Sequence, residues 1–219
     1  MLVRHLRSWL GAWPPSASLH VVGSAARERP GWDGRVHALL GVGGPEGTVL
    51  SVPSSAVEAV RALGDDLGSP TFGAGLGAVL QRPGAVFGRS VLRWAETVPD
   101  LGEPGVWLSP TDPRVPAWLR PFNGEVLVVL DAHGRYAAGV GRKLHDEFGH
   151  ELAVVTEPAM RGRGLARRLV AQAARRVLAD GAVPTYLHDP NNAASARVAE
   201  AAGFADHGWS VYGLWDPPS

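Results

Sequence analysis

The chain has 219 residues, 21 Lys+Arg against 21 Asp+Glu, a formal net charge of zero at pH 7, and no cysteine. That length allows one sizeable domain or two small ones, each able to bury a core. Balanced charge leaves no global footprint for nucleic acid or an acidic membrane, and the missing cysteines exclude disulfides, thiolate metal sites and a cysteine nucleophile. Any anion site must therefore be local, and no metal site is expected. The N-terminal stretch Met1–Leu10 has no long apolar centre and no window approaches a membrane span, so a cytoplasmic protein with neither a membrane nor a nucleic-acid partner is expected.

In chain order, residues 1–18 read as a helical or irregular lead-in, with Trp9 and Trp13 on its apolar side and Pro14-Pro15 stopping it. Leu19–Gly23, Val36–Val42 and Thr48–Val52 read as short strands between turn-rich loops. Ser54–Leu63 has helical periodicity behind a serine cap, Phe72–Leu80 is a second short helix weakened by glycines, and Ala85–Ala95 is a strand. Pro99–Phe122 is dense in proline and marks the boundary of two halves, residues 1–97 and 98–219. Six of the eight tryptophans precede residue 120 and read as core; none is assigned to an acceptor site.

From Glu125 the periodicity sharpens. Val126–Leu130 and Tyr136–Val140 predict a hairpin around Asp131–Gly134, and a turn at Asp146–Gly149 leads into an apolar strand over Leu152–Thr156, giving three adjacent antiparallel strands. A helix over about Gly162–Ala179 carries Leu165, Leu169, Ala173 and Val177 on one stripe, with Arg167, Arg168, Gln172, Arg175 and Arg176 on the solvent side. Val183–Leu187 then lies parallel to the Leu152–Thr156 strand through a right-handed crossover. Asn192 caps the last helix, Gly203 ends it, and Trp209–Trp215 is the closing strand. The fold class is α/β with a mixed sheet.

The strand ending at Thr156 runs into Arg161-Gly162-Arg163-Gly164-Leu165-Ala166, which opens the long helix. Free N–H groups and the positive end of the helix dipole converge there, the glycines admit a ligand to the backbone, and the arginines add charge that does not titrate: a phosphate site. A nucleoside triphosphate loop would need Gly-Lys-Ser/Thr, and Lys143 is the only lysine. A dinucleotide fingerprint would need a third glycine where Arg167 stands.

What remains, Arg-x-x-Gly-x-Ala after a strand, resembles the pyrophosphate motif of the GNAT superfamily of acetyl-coenzyme A-dependent N-acetyltransferases. Tyr186–Phe204, with Asn192-x-x-Ser195, a short helix and Gly203-Phe204, is similar to that family's fifth strand and following helix. The resemblance runs from about Glu125 to Trp215, and implies a GNAT-like C-terminal half. The N-terminal α/β half either completes the sheet or shapes the acceptor site, and its element order reads as a reduced copy of the same fold.

The resemblance implies acetyl-CoA as cosubstrate, main-chain contacts to pantetheine from Val154, Val155 and Thr156, and a pyrophosphate cradle of Arg161, Gly162, Arg163, Gly164, Leu165 and Ala166. Asn192 and Ser195 follow as further coenzyme contacts. It implies direct attack on the thioester by a primary amine of a small molecule or peptide, in a monomer or homodimer. An amine with a pKa of about 10.4 needs a base, and the family's carboxylate near the start of the signature strand maps first onto Glu151 and second onto His150. Asp146 and Glu147 read better as a solvated turn. The family's tyrosine acid, seven residues after the asparagine, is Ala199 here. Ser195, His188, Tyr186 or water is left to protonate sulfur. That gap motivates a rival reading, a non-catalytic acyl-CoA sensor.

Overall fold

In the computed structural model, which describes residues 1–215, Leu2–Leu10 forms helix α1 with His5, Leu6 and Leu10 buried. The chain then divides into two compact units: Val3–Leu92 with the closing strand from His207, and Arg93–Asp206.

The first unit contains β1 (Leu19–Gly23), β2 (Leu40–Gly44), β3 (Gly47–Val52), α2 (Val57–Arg61), α3 (Pro70–Val79) and β4 (Val86–Trp94), at whose end the chain enters the second unit. β1 runs parallel to β3, and β3 antiparallel to β2. Val21, Leu50, Val52, Val60, Phe72 and Leu76 form its core. The glycines of α3 serve packing: a Cβ on Gly75 would lie 2.6 Å from Leu63, and one on Gly73 3.2 Å from Phe87.

Two elements differ from expectation here. Val36 is exposed and bridges Pro30 in a turn held by Asp33, so β2 begins only at Leu40. The helix predicted behind a serine cap is a 3₁₀ turn, Ser54–Ala56, continued by α2; Pro53 leads it and no side chain caps it.

The second unit contains β5 (Val106–Leu108), β6 (Val126–Leu130), β7 (Tyr136–Leu144), β8 (Gly149–Thr156), α4 (Leu165–Ala179), β9 (Val183–His188) and α5 (Ala193–Ala201). Strand order is β9-β8-β7-β6-β5, with β8 parallel to β9 and the other neighbours antiparallel. One face carries Ala138, Val140 and Leu152 against Leu169, Val170 and Ala173 of α4. On the other face a Cβ on Gly139 would meet Leu119 at 2.8 Å and one on Gly141 would meet Phe122 at 2.5 Å, so these glycines let the 117–122 segment lie directly on β7. A final strand, β10 (Ala205–Trp215), pairs antiparallel with β2 in the first unit, Val211 opposite Val42. Chain order had grouped it with the C-terminal half; backbone pairing decides otherwise.

The polar face of α4 is also corrected. Gln172 is buried, and its amide both accepts from Gly105 N–H and donates to Gly105 C=O at 3.0 Å. Arg168 donates to Leu101 O, and Arg175 to Pro99 O and Gly102 O. These side chains hold the 99–105 strap against α4 instead of facing water. Gln172→Ala leaves two backbone groups of Gly105 unpaired and is expected to cost about 1–3 kcal/mol, read as a lower melting temperature; an unchanged melt would show the strap to be energetically idle.

Candidate functional site

β8 and β9 separate where both still continue. Their parallel ladder runs from Gly149 opposite Val183 to Leu152 opposite Tyr186, yet β8 extends to Thr156 and β9 to His188. On its other edge β8 stays paired to β7 as far as Thr156 opposite Ala138. The bond from Glu157 N–H to Ala137 O sets the alternation, so the peptide groups of Val155 point to β7 while those of Val154 and Thr156 point to the edge that β9 has left. Val155 is further committed: its carbonyl accepts from Tyr136 OH at 2.9 Å. Of the three residues expected to offer main chain, two face the gap. Thr156 Oγ1 is buried and has no hydrogen-bond partner among the described residues.

The glycine turn follows at the end of β8. Gly162 and Gly164 have φ of +77° and +71°, a region that L side chains rarely adopt. Gly164 is the N-cap of α4, so the helix starts at Leu165, three residues later than periodicity placed it. The first α-helical bond there is Arg168 N–H to Gly164 O, which leaves the N–H groups of Leu165, Ala166 and Arg167 without helical partners. Beyond Gly162 there is open space, while a Cβ on Gly164 would lie 3.1 Å from Arg167 Nε. Arg161 donates to Thr156 O at 3.3 Å. Among the described residues, Arg161, Arg163 and Arg167 are exposed and have no carboxylate partner, whereas Arg142, Arg175 and Arg176 are all ion-paired. A neutral chain thus concentrates uncompensated positive charge at one helix start.

The two base candidates face opposite sides of β8. Glu151 lies opposite Lys143 and its carboxylate is held between Lys143 Nζ and His145 Nε2, the latter at 3.1 Å from Oε2. Burial alone would raise its pKa, but Lys143 and His145 together outweigh burial and hold it at about 2. His150 is buried beside Arg142, which pairs with Asp180 at the far end of α4. Burial, then Arg142, pushes the His150 pKa down, so the ring is neutral. About 20 Å of strand separates it from Thr156. Lys143 and His145 were not singled out in the sequence; the signal was the hairpin register that sets the sole lysine across from Glu151.

At the opposite end of the site Asn192 caps α5 as expected, its Oδ1 accepting from Ser195 N–H at 3.0 Å. Ser195 Oγ lies 2.8 Å from Tyr186 OH, and burial raises the tyrosine's pKa. Ala199, one turn along α5, is fully buried in the core with Tyr186 and Phe204. His188 Nε2 accepts from Arg93 Nε at 3.1 Å, so its proton sits on Nδ1 and is donated to Asp189 O at 2.9 Å. Both ring nitrogens of His188 are used. Among the described residues no group of three or more His, Cys, Asp or Glu is placed to hold a metal, and no helix is long and apolar enough to cross a membrane.

A strand parting from its parallel neighbour, a two-glycine turn and a helix start follow one another here, with free N–H groups and positive charge at their junction, and comparison with known proteins bears on what they serve. The model of the Acetyltransferase (GNAT) family matches residues 92–204, slightly more than half of the chain. No curated protein matches. A GNAT-family protein from Novosphingobium aromaticivorans DSM 12444 is 28% identical with a TM-score of 0.52, over 63% of this chain and 69% of that one. A GNAT-family acetyltransferase from Colwellia psychrerythraea is 17% identical with a TM-score of 0.48, over 64% of this chain and 61% of that one. A GCN5-related N-acetyltransferase-like protein from Streptococcus suis 89/1591 is 16% identical with a TM-score of 0.46, over 76% and 71%. The matched span takes in the parted strands, the glycine turn and α5 whole, and with them this chain belongs to the GNAT acetyltransferase family.

Proposed function

We propose that the protein transfers an acetyl group from acetyl-CoA to a primary amine of a small molecule or peptide by direct attack. The observation that carries this reading is the opening of the β8–β9 ladder beyond Leu152 and Tyr186, immediately before the Gly162–Gly164 turn. The residues fit the group. Gly162 to Arg167 take the diphosphate on backbone N–H groups, with Arg161, Arg163 and Arg167 supplying charge. Val154 and Thr156 offer peptide groups to the amide-bearing arm, and Thr156 Oγ1 gains the partner it lacks. When bound, acetyl-CoA supplies an activated thioester carbonyl.

Val154, by that placement, aligns and polarises the carbonyl through its main chain. Glu151, ionised throughout the neutral range, is too weak a base by itself; it orients the His145 ring, whose neutral form accepts the proton of the incoming ammonium. His150, buried under the far end of α4, takes no part in this scheme.

Calorimetry with acetyl-CoA, together with thiol release across a panel of amino acids, polyamines, aminoglycosides and peptides, tests the reading. Binding with turnover on at least one amine is expected. Tight binding with no turnover would make the protein an acyl-CoA sensor, and no binding would end the coenzyme assignment.

A further inference from the structure

We propose that Ser195 and Tyr186 form a two-hydroxyl relay that delivers the proton to the departing sulfur, in the place left by Ala199. The inference rests on reading the site as one for a coenzyme A thioester. Its evidence is positional. Tyr186 is the last residue of β9 still paired with β8, so it stands at the point where the gap opens. Its ring is 2% exposed and packs on Phe204 at 5.9 Å between centroids, while Ser195, in the first turn of α5, is only partly buried. The serine is therefore the hydroxyl that meets the ligand, and the phenol lies behind it at 2.8 Å. Ala199 lies four residues from Ser195 on the same face of α5, with its methyl sealed in the core.

Polar and charged neighbours offset part of the burial that disfavours a transient phenolate. The charged and titratable groups that face Tyr186 are Arg93 from β4, His188 from β9 and Ser195 from α5. Arg93 is itself buried and held by Phe204 O at 3.1 Å, Asp206 at 3.2 Å and Glu200 at 3.7 Å. His188 cannot compete as donor, because its Nδ1 proton is already given to Asp189 O and Nε2 accepts from Arg93. Burial raises the tyrosine's pKa, while Ser195 and Arg93 act the other way by favouring the anion.

The transfer balances. As the acceptor nitrogen bonds to the carbonyl carbon and the C–S bond breaks, the bonding pair stays with sulfur. Ser195 passes its hydroxyl proton to that sulfur and takes the phenolic proton of Tyr186. The tyrosine regains a proton from solvent, to which His145 has released the one taken from nitrogen. The net change moves one proton from nitrogen to sulfur.

Ser195→Ala and Tyr186→Phe, each assayed on the fastest amine of the panel, are expected to lower kcat by about 100-fold, and Tyr186→Phe, which lies behind the serine, is expected to keep coenzyme A affinity by calorimetry within about 3-fold. The double variant is expected to be no slower than the worse single one by more than about 2-fold, because the two hydroxyls act in series. Without any coenzyme, ¹³C-tyrosine NMR of the three tyrosines gives an independent readout: Ser195→Ala should move the Tyr186 titration upward. Full turnover in Tyr186→Phe, additive losses in the double variant, or an unmoved Tyr186 titration would each overturn the relay while leaving the transferase reading intact. Failure of the wild-type protein to bind acetyl-CoA would overturn both.

Discussion

Gly164→Val is expected to weaken acetyl-CoA binding at least 100-fold while leaving the protein folded. Gly164 sits at φ +71°, where a β-branched residue pays about 1–2 kcal/mol, and its Cβ would press on Arg167 Nε at 3.1 Å and Nη2 at 3.4 Å. The added side chain would both displace a guanidinium and stand over the free N–H groups that a diphosphate needs. A fold of this size should lose only several degrees of melting temperature for that cost. Gly162→Ala is the contrast: it meets no atom within 4 Å, so it carries the backbone cost alone and should weaken binding much less. Calorimetry on both variants at two ionic strengths checks the prediction, since an electrostatic site weakens as salt screens it. Unchanged affinity in Gly164→Val would remove the cradle.

Glu151→Gln is expected to lower both stability and rate. The Glu151 residue is 5% exposed and its carboxylate is shared by Lys143 and His145, so the neutral amide removes a buried negative charge that both groups face. Breaking such a pair from one side costs about 3 kcal/mol. The pH dependence has a definite sign. The folded-state pKa of about 2 lies below the ordinary 4.5, so the carboxylate's contribution is present above pH 4.5 and lost as pH falls from there toward 2. Wild type should therefore lose of order 3 kcal/mol across that window, and the Gln variant should lack that part of the acid sensitivity. Chemical denaturation at pH 7, 4.5 and 3 measures it. With Glu151 no longer orienting His145 as the base, kcat falls by about 100-fold and the acid limb of the rate profile shifts; an unaltered profile would leave the residue a purely structural anchor.

Much of the site was legible because its pieces are local. Gly162 and Gly164 take the positive φ that their placement between strand and helix demanded, Asn192 caps α5 three residues before the N–H it accepts, and Gly203 ends that helix at φ +94°. The hairpin around Asp131 closes on hydrogen bonds to Arg135, four positions away. What stayed hidden depends on distant partners. Gln172 has the periodicity of a wet helix face and is buried only because Gly105, 67 positions earlier, needs both its amide atoms. Arg93 reaches Phe204 across 111 positions and His188 across 95, and the second contact fixes the tautomer of His188. The 99–122 stretch, read as an irregular boundary, holds β5 and the 3₁₀ turn Ala117–Leu119.

The sequence by itself determined the strand–turn–helix that presents free N–H groups, the family resemblance and the order of the elements, because backbone sterics, caps and hydrophobic period act within a few residues. Only the tertiary structure decided that β9 leaves β8 at Tyr186, that Val154 and Thr156 rather than Val155 face the opening, and that Glu151 is locked between Lys143 and His145. It also placed β10 beside β2. Those outcomes are set by which strand edges and side chains meet across long separations, where the energy of burying and pairing groups outweighs any local preference.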